Sequence, residues 1–227
     1  MIEDPPLLTI NTRFDRPDPS VLGTLGKANS GVLVDCLDGS GAIPIKPVNP
    51  KANRFIGVAV TCDCGPADNL AAFGALKITQ PGDVIVISTG GYQRTAVIGD
   101  MVLGMAKNCG AVAMVTDGYV RDLDGICEVG LPCFAAGITP NSPARNGPGT
   151  VGLPIVLDGV SINSGDIIFG DRDGVVVVPN KHISTVLARL PQVQKAEAEM
   201  EANVKGGLKL PAFVDGILNS DQVKIIE

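Results

Sequence analysis

The chain has 227 residues, a formal net charge of −6, 45% hydrophobic residues, 4% aromatic residues and no Trp. A chain of this length can bury an aliphatic core without disulfides. The basic residues are scattered, which argues against a nucleic-acid interface. No stretch approaches 18 uncharged apolar residues, which excludes a membrane span. Residues 1–6 lack the basic and apolar regions of a signal peptide, so we expect a cytoplasmic protein.

The first half of the chain predicts alternating helices and strands after a polar, Pro-rich arm at residues 1–16. Asp18-Pro19-Ser20 is typical of a helix start, and Ser30 is a candidate cap of a second short helix. The predicted elements that follow are a strand at 55–64, a helix at 68–77 and a strand at 84–88.

The second half continues this alternation and then becomes rich in strands. We predict a helix at 95–108, a strand at 111–116, a short helix at 123–129, a strand at 132–136, a loop at 139–152, short strands within 153–179 and a long helix at 181–205. The pattern indicates one α/β domain over 1–227, whose last part, 181–227, is a helical arm and tail.

Two segments of the sequence echo each other. Pro81-Gly82-Asp83 precedes the apolar run 84–87, and Ser164-Gly165-Asp166 precedes the run 167–169. A Gly-Asp pair in this context indicates a turn that leads into a buried strand.

The six cysteines give little information on function. No pair has CxxC spacing, and His182 is the only histidine, so a zinc site is not expected. We expect buried, reduced thiols.

The residues that carry chemistry are Gly99-Asp100 and, twenty residues later, Arg121-Asp122. Arg121 and Asp122 follow a predicted strand, and sites of α/β proteins form beyond the carboxyl ends of strands. The turn Gly90-Gly91 follows the preceding strand. Its backbone N–H groups, with the start of the predicted helix behind them, are candidates for an anion cradle.

Each of these features is common when it stands alone, since Arg-Asp is usually a solvated ion pair and Asp100 a helix-start residue. Together they predict one guanidinium and two carboxylates that face an anion-binding turn. Hard oxygen ligands without histidine favour Mg²⁺, with Mn²⁺ as the alternative.

The Gly-Asp and Arg-Asp pairs, with their twenty-residue spacing, resemble those of the class II 4-hydroxy-4-methyl-2-oxoglutarate aldolases. These share a fold with the regulator of ribonuclease activity A, the RraA-like proteins. The resemblance extends from about residue 31 to 205 and includes the segments 68–70, 81–84, 116–122, 131–134 and 170–179.

The resemblance implies a single-domain β/β/α swivelling-domain fold, a trimer or hexamer, and active sites between subunits. It implies a metal-dependent lyase that cleaves a 4-hydroxy-2-oxo diacid to pyruvate and a second oxo acid. Decarboxylation of oxaloacetate is a natural side reaction, because it forms the same enolate.

The resemblance also implies residue roles. Asp122 binds the metal directly, and Arg121 holds the substrate and stabilises the enolate. Asp100 binds the metal through water, as does Glu197 of a neighbouring subunit, with Glu199 the next candidate. Gly99 and the backbone N–H of Met101 contact the 2-oxo acid. Asn69, together with Gly90 and Gly91, completes the predicted substrate-binding set.

This sequence departs from the pattern beside the predicted site. Many relatives carry a His four residues after the Asn, where this chain has Phe73, which makes the pocket wall more apolar. Arg94, next to the Gly-Gly turn, is a candidate for a second carboxylate or a solvated loop residue.

Three alternatives stay open. A non-catalytic protein that inhibits a ribonuclease is the main one, although such regulators lack the Asp that follows the Arg here. A Schiff-base aldolase would use Lys77 or Lys107, both near helix ends where lysine commonly complements the dipole. A methyltransferase would need a Gly-rich nucleotide fingerprint after the first strand, and the sequence has none there.

Overall fold

The structure, a computed structural model, describes residues 4–226, so the first three residues of the predicted N-terminal arm lie outside it. The strands of this range are β1 (Leu8–Ile10), β2 (Ala42–Ile43), β3 (Lys46–Pro47), β4 (Phe55–Asp63), β5 (Asp83–Ser88), β6 (Ala96–Ile98), β7 (Ala113–Val120), β8 (Cys133–Ile138), β9 (Gly149–Val151), β10 (Ile155–Leu157), β11 (Val160–Ile162), β12 (Ile167–Asp171) and β13 (Gly174–Val178). The helices are α1 (Pro19–Leu25), α2 (Ser30–Cys36), α3 (Leu70–Ile78), α4 (Asp100–Asn108), α5 (Leu123–Val129), α6 (Ile183–Lys205) and α7 (Ala212–Leu218), with a 3₁₀ turn at Asn180–His182 before α6.

Most strands form one mixed sheet. Its order is β2-β13-β12-β4-β5-β7-β8-β3, and β4, β5, β7 and β8 run parallel to one another. β12 and β13 join antiparallel beside β4, while β10 and β11 form a separate hairpin. The mixed α/β fold predicted from the sequence is confirmed.

The central strand β5 shows how the sequence builds two packed faces. All six of its residues are buried, as expected of a parallel strand covered on both sides. Ile85 and Ile87 pack with residues of α3, α4 and α5 on one face. Val84 and Val86 pack on the other face with Ile155, Leu157 and Ile162 of the β10–β11 hairpin. The period-two alternation of strand side chains places successive residues in different clusters.

A third apolar cluster holds the long C-terminal helix. Val186 and Leu190 of α6 are buried against α1, α2 and the strands β12 and β13. Val193 is the last residue of the helix that packs against this cluster, and Met200, further along, is 42% exposed. Buried apolar contacts therefore anchor only the first half of α6.

The two Gly-Asp turns have the same backbone conformation and the same pattern of hydrogen bonds. Gly82 and Gly165 have φ of 94° and 97°, values that few residues other than glycine adopt. Asp83 Oδ2 accepts a hydrogen bond from the Gln80 N–H, and Asp166 Oδ2 accepts one from the Asn163 N–H, each at 2.8 Å. The predicted turns before buried strands are confirmed by this geometry.

Some predicted elements are wrong. The helix predicted at 95–108 begins only at Asp100, because residues 96–98 form β6. The 139–152 loop contains β9, which pairs in parallel with β1 of the N-terminal arm. The tail after the long helix, for which no element was predicted, contains α7. All three are short elements, and the partner of β9, the strand β1, lies about 140 residues away in the sequence.

All six cysteines are free thiols, of which Cys36, Cys62, Cys64 and Cys133 are buried. Burial raises the pKa of Cys133 to about 12. The pKa of Cys62 is also raised, first by its hydrogen bond with Cys64 and then by burial. The thiols of Cys62 and Cys133 are therefore unreactive at neutral pH. Cys109 is half-buried and Cys127 is exposed, so the prediction of burial is wrong for these two.

Between residues 4 and 226, no helix combines the length and apolar character needed to cross a membrane. The cytoplasmic location expected from the sequence stays a prediction.

Replacing Asp166 by Ala tests the importance of the Gly-Asp turns. The Asp166 side chain, 3% exposed, accepts hydrogen bonds from Asn163 N–H and Asn180 N–H. Because the variant leaves both donors without a charged acceptor, we expect the free energy of unfolding to fall by about 2–3 kcal/mol. Urea denaturation followed by circular dichroism measures it. The exposed Asp221→Ala is the control; equal stability of the two variants would contradict the assigned role.

Candidate active site

The short strand β6 places the two predicted motifs side by side. It pairs in parallel with the outer end of β7, with Ala96 opposite Tyr119 and Ile98 opposite Val120. The Arg121 N–H then donates to the Ile98 carbonyl at 3.1 Å. Gly99-Asp100 and Arg121-Asp122 therefore leave the same edge of two neighbouring parallel strands. The sequence predicted this proximity from the loops but missed the strand that causes it.

Asp122 has an unusual backbone conformation. Its φ and ψ are 60° and 51°, in the left-handed region, where it caps the start of α5 without a side-chain capping bond. Non-glycine residues in this region are uncommon and cluster at functional sites, although Asp and Asn tolerate it better than most. This conformation frees the Asp122 carboxylate from α5, and its Oδ2 lies 3.1 Å from Arg121 Nε.

The ion pair between Arg121 and Asp122 is accessible to a ligand. The two side chains are 37% and 41% exposed. A pair this exposed contributes little to stability. Arg121 Nη1 also donates to Ser142 Oγ at 2.5 Å, so the guanidinium is held from two sides.

Asp100 is the first residue of α4, and its Oδ1 accepts a hydrogen bond from the Met101 N–H at 2.7 Å. The predicted use of this N–H for substrate binding therefore competes with the carboxylate of Asp100. The described residues make no hydrogen bond to Asp100 Oδ2, which leaves this oxygen free.

Two glycines provide the space for the two carboxylates. A Cβ on Gly99 would lie 2.3 Å from Asp122 Oδ2 and 3.0 Å from Arg121 Cγ. A Cβ on Gly125, in the first turns of α5, would lie 2.3 Å from Asp100 Oδ2. Any larger residue at either position would displace a carboxylate.

These side chains line one cavity of about 370 Å³. Its wall consists of Asn69, Phe73, Val97, Ile98, Gly99, Asp100, Met101, Val102, Met105, Arg121, Asp122, Ser142, Pro143 and Arg145. The structure thus brings together the predicted residues Asn69, Gly99, Asp100, Met101, Arg121 and Asp122. Phe73 forms part of the wall, as the sequence predicted.

Asn69, a residue of this cavity wall, has an unpartnered side-chain oxygen. The residue is 2% exposed, and its Nδ2 donates to the Val97 carbonyl at 3.1 Å. This bond fixes the orientation of the amide. Its Oδ1 is buried and has no partner among the described residues. Because a buried acceptor without a donor is costly, this atom indicates a ligand with a donor group or a cation.

The Gly90-Gly91 turn does not join this site. The backbone N–H groups of Thr89 and Gly91 donate to the carboxylate of Asp117 at 2.6 and 2.8 Å. The turn leads into β6, so no helix start lies behind it. The predicted anion cradle is therefore occupied by a side chain of the same protein, and the geometry does not support the substrate-binding role of Gly90 and Gly91.

Gly90 and Gly91 line a different and larger cavity of about 500 Å³. Its charged residues are Lys46, Asp117 and Asp158. Asp117 is bonded to the turn, and Lys46 Nζ donates to the Asp173 carbonyl. We place the candidate site in the smaller cavity, because it holds two carboxylates, two guanidinium groups and the free Asn69 oxygen.

Arg94 and Glu197 also lie outside the wall of the candidate site in their own chain. The exposed Arg94 is fixed through its carbonyl, which accepts a hydrogen bond from Asn141 Nδ2. Glu197 lies on α6, where its Oε1 accepts a hydrogen bond from Asn29 Nδ2 at 3.3 Å. The role predicted for Glu197 concerns a neighbouring subunit and stays a prediction.

Sequence reasoning missed Ser142 and Arg145. Both lie in the 139–152 loop, which has no periodicity and no motif. Their position depends on a bridge between Asp68 and Ala144, 76 residues apart in the numbering. No local signal in the sequence identifies this contact.

Comparison with known proteins agrees with the resemblance noted in the sequence. A protein of Halalkalibacterium halodurans, named as a proposed 4-hydroxy-4-methyl-2-oxoglutarate aldolase, is 39% identical over 172 residues, which cover 75% of this chain and 80% of the relative.

Two solved structures share the fold. An uncharacterized protein from Pseudomonas syringae pv. tomato has a TM-score of 0.75 at 28% identity, covering 86% of this chain and 97% of its own. Streptomyces coelicolor RraAS2, described as an unusual member of the RNase ES inhibitor RraA family, has a TM-score of 0.72 at 27% identity, covering 83% of this chain and 99% of its own.

The family described as RraA-like, Aldolase/RraA, matches residues 32–177. This match covers more than half of the 227 residues, and the chain therefore belongs to the RraA-like family.

Proposed function

We propose that the protein is an aldolase that cleaves a 4-hydroxy-2-oxo diacid, such as 4-hydroxy-4-methyl-2-oxoglutarate, to pyruvate and a second oxo acid. The observation that carries this proposal is the meeting of Arg121, Asp122, Asp100 and the unpartnered Asn69 oxygen on the wall of one cavity. The name of the Halalkalibacterium halodurans relative supports it.

We further propose that the reaction requires a divalent metal ion, Mg²⁺ or Mn²⁺. The cavity offers the carboxylates of Asp100 and Asp122, both hard oxygen donors. Within residues 4–226 no group of three His, Cys, Asp or Glu side chains forms a metal cage. This small donor set fits Mg²⁺, which binds through one or two carboxylates and keeps several waters.

In this proposal Asp122 would hold the ion directly, and Asp100 would act through water. The ion would supply Lewis-acid stabilisation of the charge that develops on the keto oxygen. Arg121 donates hydrogen bonds to the carboxylate and keto oxygen of the 2-oxo acid. Because these bonds strengthen as the keto oxygen becomes negative, they favour the transition state over the substrate.

The proton of the 4-hydroxyl must leave as the C3–C4 bond breaks. The O–H electrons form the new C4 carbonyl, and the C3–C4 electrons form the enolate of pyruvate. We assign to the unpartnered Asn69 Oδ1 the role of accepting a hydrogen bond from this hydroxyl and so orienting it. We assign the proton-accepting role to Asp100, whose Oδ2 is free. The enolate is then protonated at C3 to give pyruvate.

We propose that the protein is a trimer or a hexamer in which Glu197 of a neighbouring subunit approaches the metal. The exposed second half of α6 supports an arm that reaches another subunit. A non-catalytic regulator of a ribonuclease is not favoured, because the cavity contains the carboxylates that lyase chemistry needs.

A direct assay tests the proposed reaction. We expect pyruvate to be released from 4-hydroxy-4-methyl-2-oxoglutarate in the presence of Mg²⁺, and the release to stop with EDTA and resume when Mg²⁺ or Mn²⁺ is added. Coupling to lactate dehydrogenase measures the pyruvate. Turnover that survives EDTA, with modification by borohydride in the presence of pyruvate, would indicate a Schiff-base lysine instead. No pyruvate from any 4-hydroxy-2-oxo diacid would leave the regulator alternative.

Asp122→Asn separates the charge of this residue from its backbone role. Asn tolerates the left-handed conformation as well as Asp, so the fold should be kept. Loss of the carboxylate should remove about 3 kcal/mol or more of transition-state stabilisation, a fall in kcat of roughly 10²-fold or more. The matched control is Asp124→Asn in the first turn of α5, which does not line the cavity. Equal kcat values for the two variants would rule out the role of Asp122.

Gly99→Ala tests the close approach of the carboxylate. The new Cβ would overlap Asp122 Oδ2, so the carboxylate must move away from its present position. Because a misplacement of about 1 Å can cost roughly 10²-fold in rate, we expect a large loss of kcat with little change in the melting temperature. Gly104→Ala on α4, whose Cβ would meet only Val129 at 3.9 Å, is the control. An unchanged kcat in Gly99→Ala would show that the position of Asp122 is not critical.

A further inference from the structure

We infer that Arg145 binds the carboxylate at the end of the substrate remote from Arg121, and that it thereby selects diacids over monoacids. This inference rests on the proposed function, since it assigns the far end of the same substrate. It gives the cavity two guanidinium groups; the sequence offered Arg94 as the candidate for a second carboxylate, and Arg94 does not line this cavity.

Arg145 and Arg121 line the same cavity from different segments of the chain. Arg121 is engaged with Asp122 and Ser142. By contrast, the Arg145 guanidinium makes no ion pair and donates no hydrogen bond within the part of the chain that the structure describes. A guanidinium with free donors on a cavity wall is a good partner for a carboxylate, which it can bind through two parallel hydrogen bonds.

The backbone on both sides of Arg145 is tied down. Asp68, 8% exposed, accepts hydrogen bonds from the N–H groups of Asn146 and Gly147 at 2.5 and 3.2 Å. On the other side, the Ala144 N–H donates to the Ala67 carbonyl at 2.7 Å, and the Ala144 carbonyl accepts from the Asn69 N–H at 3.1 Å. Arg145 is therefore held beside Asn69, although its side chain is exposed.

Phe73 supports the guanidinium itself. The Arg145 Cζ lies 5.3 Å from the centroid of the Phe73 ring, and both residues line the cavity. A cation–π contact uses the face of the guanidinium and leaves its N–H donors, which lie in the plane, available. The apolar residue that departs from the family pattern thus serves as a platform for a cation.

The charges of the cavity match a diacid. Its acidic residues are Asp100 and Asp122, both assigned to the metal and the reacting end. Neither carboxylate forms an ion pair with Arg145. The carboxylate of Asp122 pairs with Arg121 instead. A substrate with one carboxylate would leave Arg145 without a partner, whereas a diacid gives each guanidinium its own carboxylate.

The test compares a diacid with a monoacid of the same reacting end. The substrates are 4-hydroxy-4-methyl-2-oxoglutarate and 4-hydroxy-2-oxovalerate, which has no far carboxylate. We expect Arg145→Gln to raise KM for the diacid about tenfold. This effect is at the lower end of the range for a hydrogen bond between charged groups, because the site is partly solvated. The kcat for the diacid and the kcat/KM for the monoacid should stay within about twofold of the wild type.

Two further variants make the result specific. Arg145→Lys keeps the charge but not the fork, so it should recover part of the affinity for the diacid. Arg94→Gln, an exposed arginine outside the cavity wall, should leave both substrates unchanged. An equal loss for both substrates in Arg145→Gln would indicate a general structural effect and overturn the inference.

A binding measurement separates this inference from the proposed function. Calorimetry with Mg²⁺ compares 2-oxoglutarate with 2-oxovalerate, neither of which can be cleaved by this reaction. We expect the wild type to bind the diacid about tenfold more tightly, and Arg145→Gln to lose this preference. Suppose that the wild type shows no turnover but prefers the diacid, and that Arg145→Gln loses this preference. This result would refute the aldolase but support Arg145 as the carboxylate site. A preference that is absent in the wild type, retained in Arg145→Gln, or unobservable because neither acid binds would overturn the inference.

Discussion

The parallel pairing of β6 with the outer end of β7 determines where the site residues lie. Only Ala96 and Ile98 of β6 are paired, and the Arg121 N–H extends the contact by one hydrogen bond. Because β6, α4 and β7 form a parallel crossover, the carboxyl ends of both strands meet at one edge of the sheet. The twenty residues between the two motifs are the length of this crossover. The twenty-residue spacing between the two motifs therefore has a structural cause. Between them the chain runs through α4 and returns along β7.

Much of the fold could be predicted because its strands are apolar on both faces. β4, β5, β7 and β8 form the parallel part of the sheet, and their apolar runs are visible without any partner. β6 could not be predicted in this way. Its three apolar residues continue the helical spacing of α4. In so short an apolar segment beside a helix, the periodicity of a strand cannot be distinguished from that of a helix. The anion site predicted at the Gly90-Gly91 turn was misjudged for a different reason. Free N–H groups in a turn indicate that an anion binds but not which anion, and here the anion is the carboxylate of Asp117.

The residues of the candidate site also fall into those that the sequence could predict and those that it could not. Asp100, Arg121 and Asp122 could be predicted, because charged residues directly after strands are recognisable from local sequence. Arg145 could not, because its place in the cavity depends on hydrogen bonds between 67–69 and 144–147, which leave no periodic trace. Asn69 is intermediate: its type and position were predicted, but only the structure shows that its Nδ2 is used and its Oδ1 is free.

Asp68 and Asn69 together connect the segments that form the cavity. Asp68 binds the backbone of the loop that carries Arg145, and Asn69 binds the carbonyl of Val97 in β6, next to Gly99 and Asp100. These contacts are directional and buried, so they fix orientation as well as distance, which apolar packing alone does less strictly. Among the described residues, Asn69 Oδ1 is the one buried side-chain polar atom without a partner. An orphan acceptor costs about 1–3 kcal/mol, and the rest of the network is satisfied. Asn69 lines the cavity, and in the proposed function a substrate hydroxyl would complete this unmet hydrogen bond.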